Sequence, residues 1–515
     1  LATFAGAKNA NKSLPGDLVI QDASGCRLAA RSDHPPIVGV VETSSKTKYG
    51  FTSRGIPIYL FVPANKAYPP FIVGCSEKDT TRNYIGLVKF DNWETGNLPR
   101  GALQRIIGPV GMREAEEEAL LWQYAPVTVH KTAGDLAADD CPERTKLTGF
   151  TFNIDPPGCH DIDDVITVAG NTITITITDV AAHIQELSYQ DMLASIIGQT
   201  LYKDGVAVRP MLHKSFSEDA LSLLPGRERL GVSLSFDWDG STRSNFRWHE
   251  TQLVNQKTFT YEEAVLGSCP EMDMLAAAAG GGTDSHEWIA EMMKLYNLQA
   301  AAALATAGAG ILRSHSAPDL ERLAKYSSWD PALSVLASTS AKYVDAATTT
   351  ESTHHYGLDA AAYCHATSPI RRYADLMNQR ILKQIIRGNR KNLVVSCSLH
   401  DLNMRAKAAK AYERDLCFIR AILCESVPEY QGRILDIIPN TDGTEVKLRI
   451  WVDSWRKTVN AYYRALADGI GWRIKSRDEK NEYIVREGNT VHLEVASNMS
   501  ARRWKERLVI SVSTA

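Results

Sequence analysis

Residues 154–164 run Ile-Asp-Pro-Pro-Gly-Cys-His-Asp-Ile-Asp-Asp, which sets four carboxylates, Asp155, Asp161, Asp163 and Asp164, in one short segment. The segment stiffens itself. Asp155 precedes a proline and is pushed into extended backbone. Pro156 and Pro157 fix their own φ angles and cannot continue a ladder. Gly158 lets the chain turn where other residues could not. In extended chain Asp161 and Asp163 face one side while Ile162 faces a core. Carboxylates this close cannot all stay ionised without a cation among them. Oxygen-only ligands on a rigid frame suit Mg²⁺ or Mn²⁺ rather than zinc. The competing reading is an acidic surface turn. A calcium loop does not fit, because the acids lack its spacing.

A chain of 515 residues has room for roughly three or four domains and a large core. Its net charge of −3 gives no global basic field, so any contact with nucleic acid must use local patches. Nine cysteines without a C-x-x-C pair argue against a disulfide framework or zinc ribbon, and for an intracellular, reducing compartment in cytoplasm, nucleus or organelle. No apolar run reaches membrane-spanning length and no signal peptide opens the chain, so no membrane partner is expected. The chain starts at Leu1 rather than Met, as a fragment or processed product would.

Residues 1 to about 125 carry short apolar runs at 17–20, 37–41, 58–62 and 85–90, punctuated by Pro, Gly, Asn and Asp. Such spacing suggests small barrels of the OB type. These barrels often bind single-stranded nucleic acid, although most aromatics on them are packing residues. Arg113 to Leu121 reads as a short helix. After a polar connection and the acidic loop, the strict Thr/Ile alternation of 171–179 predicts a half-buried strand standing behind the loop. Leu230–Phe236 and Phe246–Val254 read as a strand pair. Ala276 to Thr283 reads as a flexible surface insertion. Glu287 to Ala307 reads as a long helix buried among others. Leu399 to Leu423 is an amphipathic helix with Lys407, Lys410, Arg414 and Arg420 exposed. From about Val427 short strands return and mark a C-terminal barrel. There Arg502, Arg503, Lys505 and Arg507 flank Trp504, which suits either RNA or a solvated strand edge.

The second chemical stretch is Ser368-Pro369-Ile370-Arg371-Arg372-Tyr373. Ser368 can cap a helix and Pro369 suits its first position. The two arginines would then oppose the helix dipole, a conflict that a bound phosphate resolves. The alternative is an ion pair between Arg371 and Asp375.

Read together, the Asp155–Asp164 loop and His365-Ala366-Thr367-Ser368-Pro369-Ile370-Arg371-Arg372-Tyr373-Ala374-Asp375 resemble the two signatures of the ribonuclease II (RNB) exoribonuclease family, in family order. Ser217-Glu218-Asp219, Arg313-Ser314-His315 and His355-Tyr356-Gly357-Leu358 are similar to elements between them. Asp91-Asn92-Trp93 through Glu118 resembles the second cold-shock domain of the eukaryotic exosome-type branch. The chain departs from the family at Ala290, where an acid is usual, and at Ala366, where an aromatic is.

The resemblance implies an α+β fold: a central RNB domain of mixed sheet and packed helices over 126–425. It is flanked by a remnant of a first cold-shock barrel (1–35), a second cold-shock OB barrel (36–125) and a C-terminal S1-like OB barrel (426–515). It implies processive 3′-to-5′ hydrolysis of single-stranded RNA to nucleoside 5′-monophosphates. Asp155, Asp161, Asp163 and Asp164 would hold Mg²⁺, with Mn²⁺ as substitute. Asp163, Arg371 and Arg372 would be catalytic. Tyr202, Tyr261, Glu291, His365 and Ser368 would contact substrate. The expected partners are RNA with a free 3′ end and an exosome-like or other RNA-decay assembly. Two alternatives stay open: an inactive RNA-binding protein of the same fold, and a structural subunit whose barrels contact proteins only.

Overall fold

The computed structural model describes residues 11–22, 25–94, 96–127, 133–139, 141, 143–266, 269–348, 353–390, 393–423, 430–475 and 482–513. Residues 1–10 of the expected first barrel remnant and 426–429 of the C-terminal barrel lie outside these. The chain divides into two compact units, one of Leu1–Val127 with Lys410–Ala515 and the other of Thr128–Ala409.

In the first unit, strands Ile37–Val41, Ile58–Pro63, Phe71–Gly74, Arg100–Pro109 and Tyr84–Asn92 close into a barrel in that spatial order. All its rungs are antiparallel except the pairing of Phe71–Gly74 with Arg100–Pro109. Val41, Phe61, Phe71 and Val88 are fully buried in its core. The helix Arg113–Tyr124 packs Ala115 on Val38, Ile85 and Leu87. The C-terminal strands repeat the order: Lys457–Asp468, Glu445–Val452, Tyr430–Pro439, Thr490–Ser497 and Leu508–Ser513 are neighbours in turn. Here the last rung is a side-chain bond, the Val512 amide donating to the Tyr463 hydroxyl at 2.5 Å.

The basic stretch near residue 504 is engaged within the first unit. Trp504 is buried and donates to Gln123 at 3.2 Å. Arg507 pairs with buried Glu116, Arg502 with Glu42 at 2.6 Å, and Lys505 with Asp415 at 2.9 Å. These cations tie parts of the first unit together, and Arg420 is likewise taken by Glu117 at 2.7 Å.

The second unit is built on a seven-stranded mixed sheet ordered Lys257–Phe259, Phe150–Ile154, Asp164–Ala169, Thr172–Thr178, Glu228–Trp238, Arg243–Val254, Thr145–Lys146. One face packs Ile166, Ile173, Ile175, Ile177 and Phe236 into a core with the helix Ser285–Ala307, through Met292, Tyr296 and Ala300. The opposite face is buried too, contrary to the half-buried expectation for the Thr/Ile strand: Thr174, Thr176 and Thr178 are at most 5% exposed. Hydroxyls satisfy each other across this face. Thr176 pairs with Ser233 at 2.7 Å, Ser233 with Thr251 at 2.7 Å, Thr174 with Ser235 at 2.8 Å and Thr151 with Thr167 at 2.8 Å. Alternation reported polarity correctly, but a polar face whose hydroxyls pair can be buried. The expected insertion at 276–283 starts inside the helix Pro270–Ala278, where Leu275 and Ala278 face the core.

Candidate active site

The acidic loop joins two sheet strands, Phe150–Ile154 and Asp164–Ala169. Between them Pro156 to Cys159 make a tight turn closed by the Cys159 amide on the Pro156 carbonyl at 3.2 Å. Gly158 has φ +78°, the value a turn with proline before it requires there. Ile162 is buried with Val165 and Leu223, and its amide donates to the Ser222 hydroxyl at 3.0 Å. That anchor holds the acids on either side of it in place.

The strand period then divides the acids. Asp164 shares a face with Ile166 and Val168, at the rim of the apolar core, and Asp155 follows the end of the strand Phe150–Ile154, beside Asn153. Asp163 turns the other way, toward the second signature. Its Oδ1 accepts the Ile370 amide at 3.1 Å and its Oδ2 accepts Arg371 Nε at 3.0 Å. Asp161 accepts the Tyr202 hydroxyl and stands 3.6 Å from the Cys159 thiol. Asn153 Nδ2 donates to Asp155 at 2.8 Å.

The second signature differs from its expected form. The helix begins at Tyr373, not at Ser368, and runs to Ile386. The reason is backbone pairing: the Thr200 amide donates to the Arg371 carbonyl and the Tyr373 amide to the Gly198 carbonyl, both at 2.9 Å. This holds Arg371 and Arg372 in a non-helical turn ahead of the helix, so the dipole conflict does not arise. The ion pairing differs as well. Asp375 pairs with Arg372 at 2.8 Å and accepts the Ser368 amide at 2.8 Å, while Arg371 goes to Asp163. Arg371 remains half-exposed, and it reaches Asp163 through Nε alone.

Charge in the site is unbalanced toward the acids. Burial pushes Asp163 up to about 7, against the pull of Arg371 and the Ile370 amide. Burial, then Asp155 and Asp163, push Asp164 well above the usual carboxylate range. Asp155 is raised by burial, with Asn153 and Arg371 pulling it back. Tyr261 is pushed up to about 12 by burial and by Asp155 and Asp164, which places its hydroxyl in the field of the same acids.

The donor set fits a hard divalent cation. Among the described residues no three His, Cys, Asp or Glu side chains form a closed metal cage. Mg²⁺ does not need one: it keeps several waters and takes one or two carboxylates plus substrate phosphates. The crowded pair Asp155 and Asp164, with Asp161 beside it, has that character.

Of the expected substrate residues, Tyr202 and Tyr261 lie with the acids. Tyr261 stacks on His286 at 3.6 Å, so one face of its ring is already covered. Ser368 shapes the arginine turn through its carbonyl, which accepts the amides of Arg371 and Arg372 at 3.2 and 2.9 Å. Glu291 pairs with Lys294 on its own helix at 3.2 Å. His365 bonds the Tyr343 hydroxyl at 3.0 Å. Sequence reasoning passed over Asn153, and it paired Asp375 with Arg371 where the structure pairs it with Arg372. Asn153 had a signal, since it stands two residues before Asp155 on the same strand. The anchoring bond of Ser222 had none, because it depends on a contact made only in the folded chain.

The RNB domain model matches residues 144–266 and 280–388, and the Dis3-like cold-shock domain 2 model matches 58–125. The probable exosome complex exonuclease RRP44 of Caenorhabditis elegans is 24% identical over 459 residues, covering 68% of this chain. This chain spans 48% of that protein's length. The solved structure of Mycoplasma genitalium RNase R in complex with ribose-methylated single-stranded RNA matches at TM-score 0.70 and 15% identity, over 98% of this chain and 96% of that one. Yeast Ssd1, described as a pseudonuclease, matches at TM-score 0.62 and 16% identity, over 87% of this chain and 68% of that one. With both signatures brought together and both domain models matched in order, the chain carries an RNB domain behind a Dis3-like cold-shock domain and has relatives of the exosome type.

Proposed function

We propose that the chain is a 3′-to-5′ exoribonuclease that hydrolyses single-stranded RNA to nucleoside 5′-monophosphates with Mg²⁺. One observation carries the reading: Arg371 meets Asp163 at 3.0 Å across 208 residues of sequence, so carboxylates and arginine converge on one spot. We take 126–425 as the catalytic domain and the barrels of 36–125 and 426–515 as RNA-gathering modules. RNA with a free 3′ end is the substrate, an RNA-decay assembly of the exosome type the partner and a reducing compartment the setting. No disulfide joins the described cysteines, and no helix of the described residues is long and apolar enough to cross a membrane.

Asp155, Asp164 and Asp161 would hold the cation, which when bound supplies an activated water and neutralises phosphate charge. Asp163 has a different task. With both oxygens on the Ile370–Arg371 turn it aims the guanidinium, whose terminal nitrogens bond no described residue and stay available to a phosphate. Arg371 would stabilise charge developing there. Arg372, engaged by Asp375, supports the turn. Tyr202 stacks on the terminal base while its hydroxyl steadies Asp161. Glu291 and His365 would reach the terminal nucleotides, where 2′-hydroxyl contacts separate RNA from DNA.

The test is a digestion of 3′-labelled RNA with Mg²⁺ and with chelator. Mononucleotides should appear only with the metal, and Asp163→Asn should abolish them while RNA binding persists. A second reading, an inactive RNA-binding protein, draws on the likeness to Ssd1. Binding by the wild type with no mononucleotide in Mg²⁺ or Mn²⁺ would establish it. The four aspartates and both arginines favour catalysis.

A further inference from the structure

The two barrels of the first unit do not close alike. In the N-terminal barrel the closing strands pair through their backbones, Ile72 with Arg100 and Val73 with Gly101. In the C-terminal barrel, among the described residues, Lys457–Asp468 and Leu508–Ser513 share no backbone rung, and the Val512 amide donates to the Tyr463 hydroxyl instead. The bonds at the ends of this seam fix which backbone groups face it. The Ala465 amide donates to the Thr444 carbonyl at 3.0 Å, toward the neighbouring strand Glu445–Val452. By the strand period Thr458, Asn460 and Tyr462 then aim their amides and carbonyls the other way, into the seam. The Val512 amide already faces it from the far side, so Leu508 and Ile510 face it too. Neither stretch carries a proline or a bulge, the devices that ordinarily blunt an open edge. Between the edges lies a cleft of about 610 Å³, walled by Val459, Ala461, Leu508, Ile510 and the buried ring of Phe418. Lys457 and Lys505 also line it and share Asp415 at 2.6 and 2.9 Å, while Lys66 takes Glu506 at 2.9 Å. Three ammonium groups there meet two carboxylates.

We propose that this seam takes up an extended, acidic segment of a partner protein as an added strand. Direction favours it. Four antiparallel rungs separate Lys457–Asp468 from Leu508–Ser513, so the two edges run the same way. One strand laid against both makes the stronger, antiparallel pairing on each side. The strand Gly471–Lys475 already pairs in that sense with the same edge, at 465–468, and the added strand continues its line. Side chains on one face of the added strand meet the apolar walls, and acids on the other balance the surplus ammonium charge. A nucleic acid answers the seam less well: its phosphates accept from the amides but donate nothing to the carbonyls beside them. The proposal stands apart from the nuclease reading.

The full chain in EDTA is titrated with a fluorescein-labelled peptide of alternating valine and glutamate, about eight residues long, and followed by anisotropy. Main-chain bonds supply affinity whatever the sequence, so saturable binding is expected. Methylating alternate amides of the peptide should weaken it about tenfold or more, and exchanging its glutamates for lysines should weaken it as well. Ile510→Pro removes one donor from the seam and leaves the rungs to Thr490–Ser497 in place, so it too should weaken binding about tenfold. Lys66→Glu, at an exposed site, tests the charge argument should the proline variant fail to fold, and is expected to weaken binding about threefold. Hydrogen exchange should slow at the amides of Thr458, Asn460, Leu508 and Ile510 when the peptide is added. No saturable binding to the wild type, or equal binding of the methylated peptide, overturns the proposal. An oligouridylate that displaces the peptide and slows the same amides overturns it in favour of an RNA contact.

Discussion

Tyr202 shows how one side chain can carry two duties that mutation can separate. Its ring is the expected stacking platform and its hydroxyl donates to Asp161. Tyr202→Phe should leave RNA affinity in EDTA unchanged and lower Mn²⁺ affinity about tenfold, as loss of an outer-sphere partner does. Tyr202→Ala should lower both, and calorimetry with Mn²⁺ alone distinguishes the two. Equal Mn²⁺ affinity in wild type and Tyr202→Phe would remove the second duty. The acids themselves were legible from the sequence, because Pro156, Pro157 and Gly158 announce a turn and Ile162 announces the side that is buried. Their division of labour was not. That Asp164 faces the core while Asp163 faces Arg371 follows from where the strand begins, and a strand's first residue is the least certain feature of any sequence reading.

At the scale of elements, the arginine turn and the hydroxyl ladder were both misread, for related reasons. Ser368-Pro369 carries a good helix-start signal. The pairing of Arg371 and Tyr373 with Thr200 and Gly198 overrides it, and no local rule anticipates a partner about 170 residues away. The Thr/Ile strand was correctly placed behind the acidic loop, yet burial of its threonine face depends on the Ser233, Ser235 and Thr251 hydroxyls of other strands. Ser233 is the shared member of that ladder. Ser233→Ala should cost about 1–3 kcal/mol, because it leaves buried hydroxyls of Thr176 and Thr251 short of a partner. Thr251→Val removes a terminal member and should cost less. Urea unfolding of each variant measures the difference, and equal costs would argue against a connected ladder.

At the scale of the molecule, the barrels were recognisable from their short strands, although Phe71–Gly74, an apolar run of only three residues and a glycine, and Arg100–Pro109, broken by polar residues, escaped notice. What binds the first unit together was less visible. Asp415, fully buried, accepts Lys457 at 2.6 Å, the Tyr124 hydroxyl at 2.5 Å and Lys505 at 2.9 Å. Burial opposes its charge, but these partners hold its carboxyl below the ordinary 3.8. A depressed acid contributes stability above its unfolded pKa and loses it as pH falls through the folded value. The first unit should therefore weaken below about pH 4. Asp415→Asn should flatten that acid limb and cost about 3 kcal/mol at neutral pH. Thermal melts across pH 3–7 read both effects, and an unchanged acid limb would assign the loss to other carboxylates. The meeting of Asp163 with Arg371 also has a meaning in time. Ribosomes add about 5–20 residues per second, so the two halves of the site emerge about 10–40 s apart. Throughout that interval the nascent polypeptide carries its acidic loop without its guanidinium.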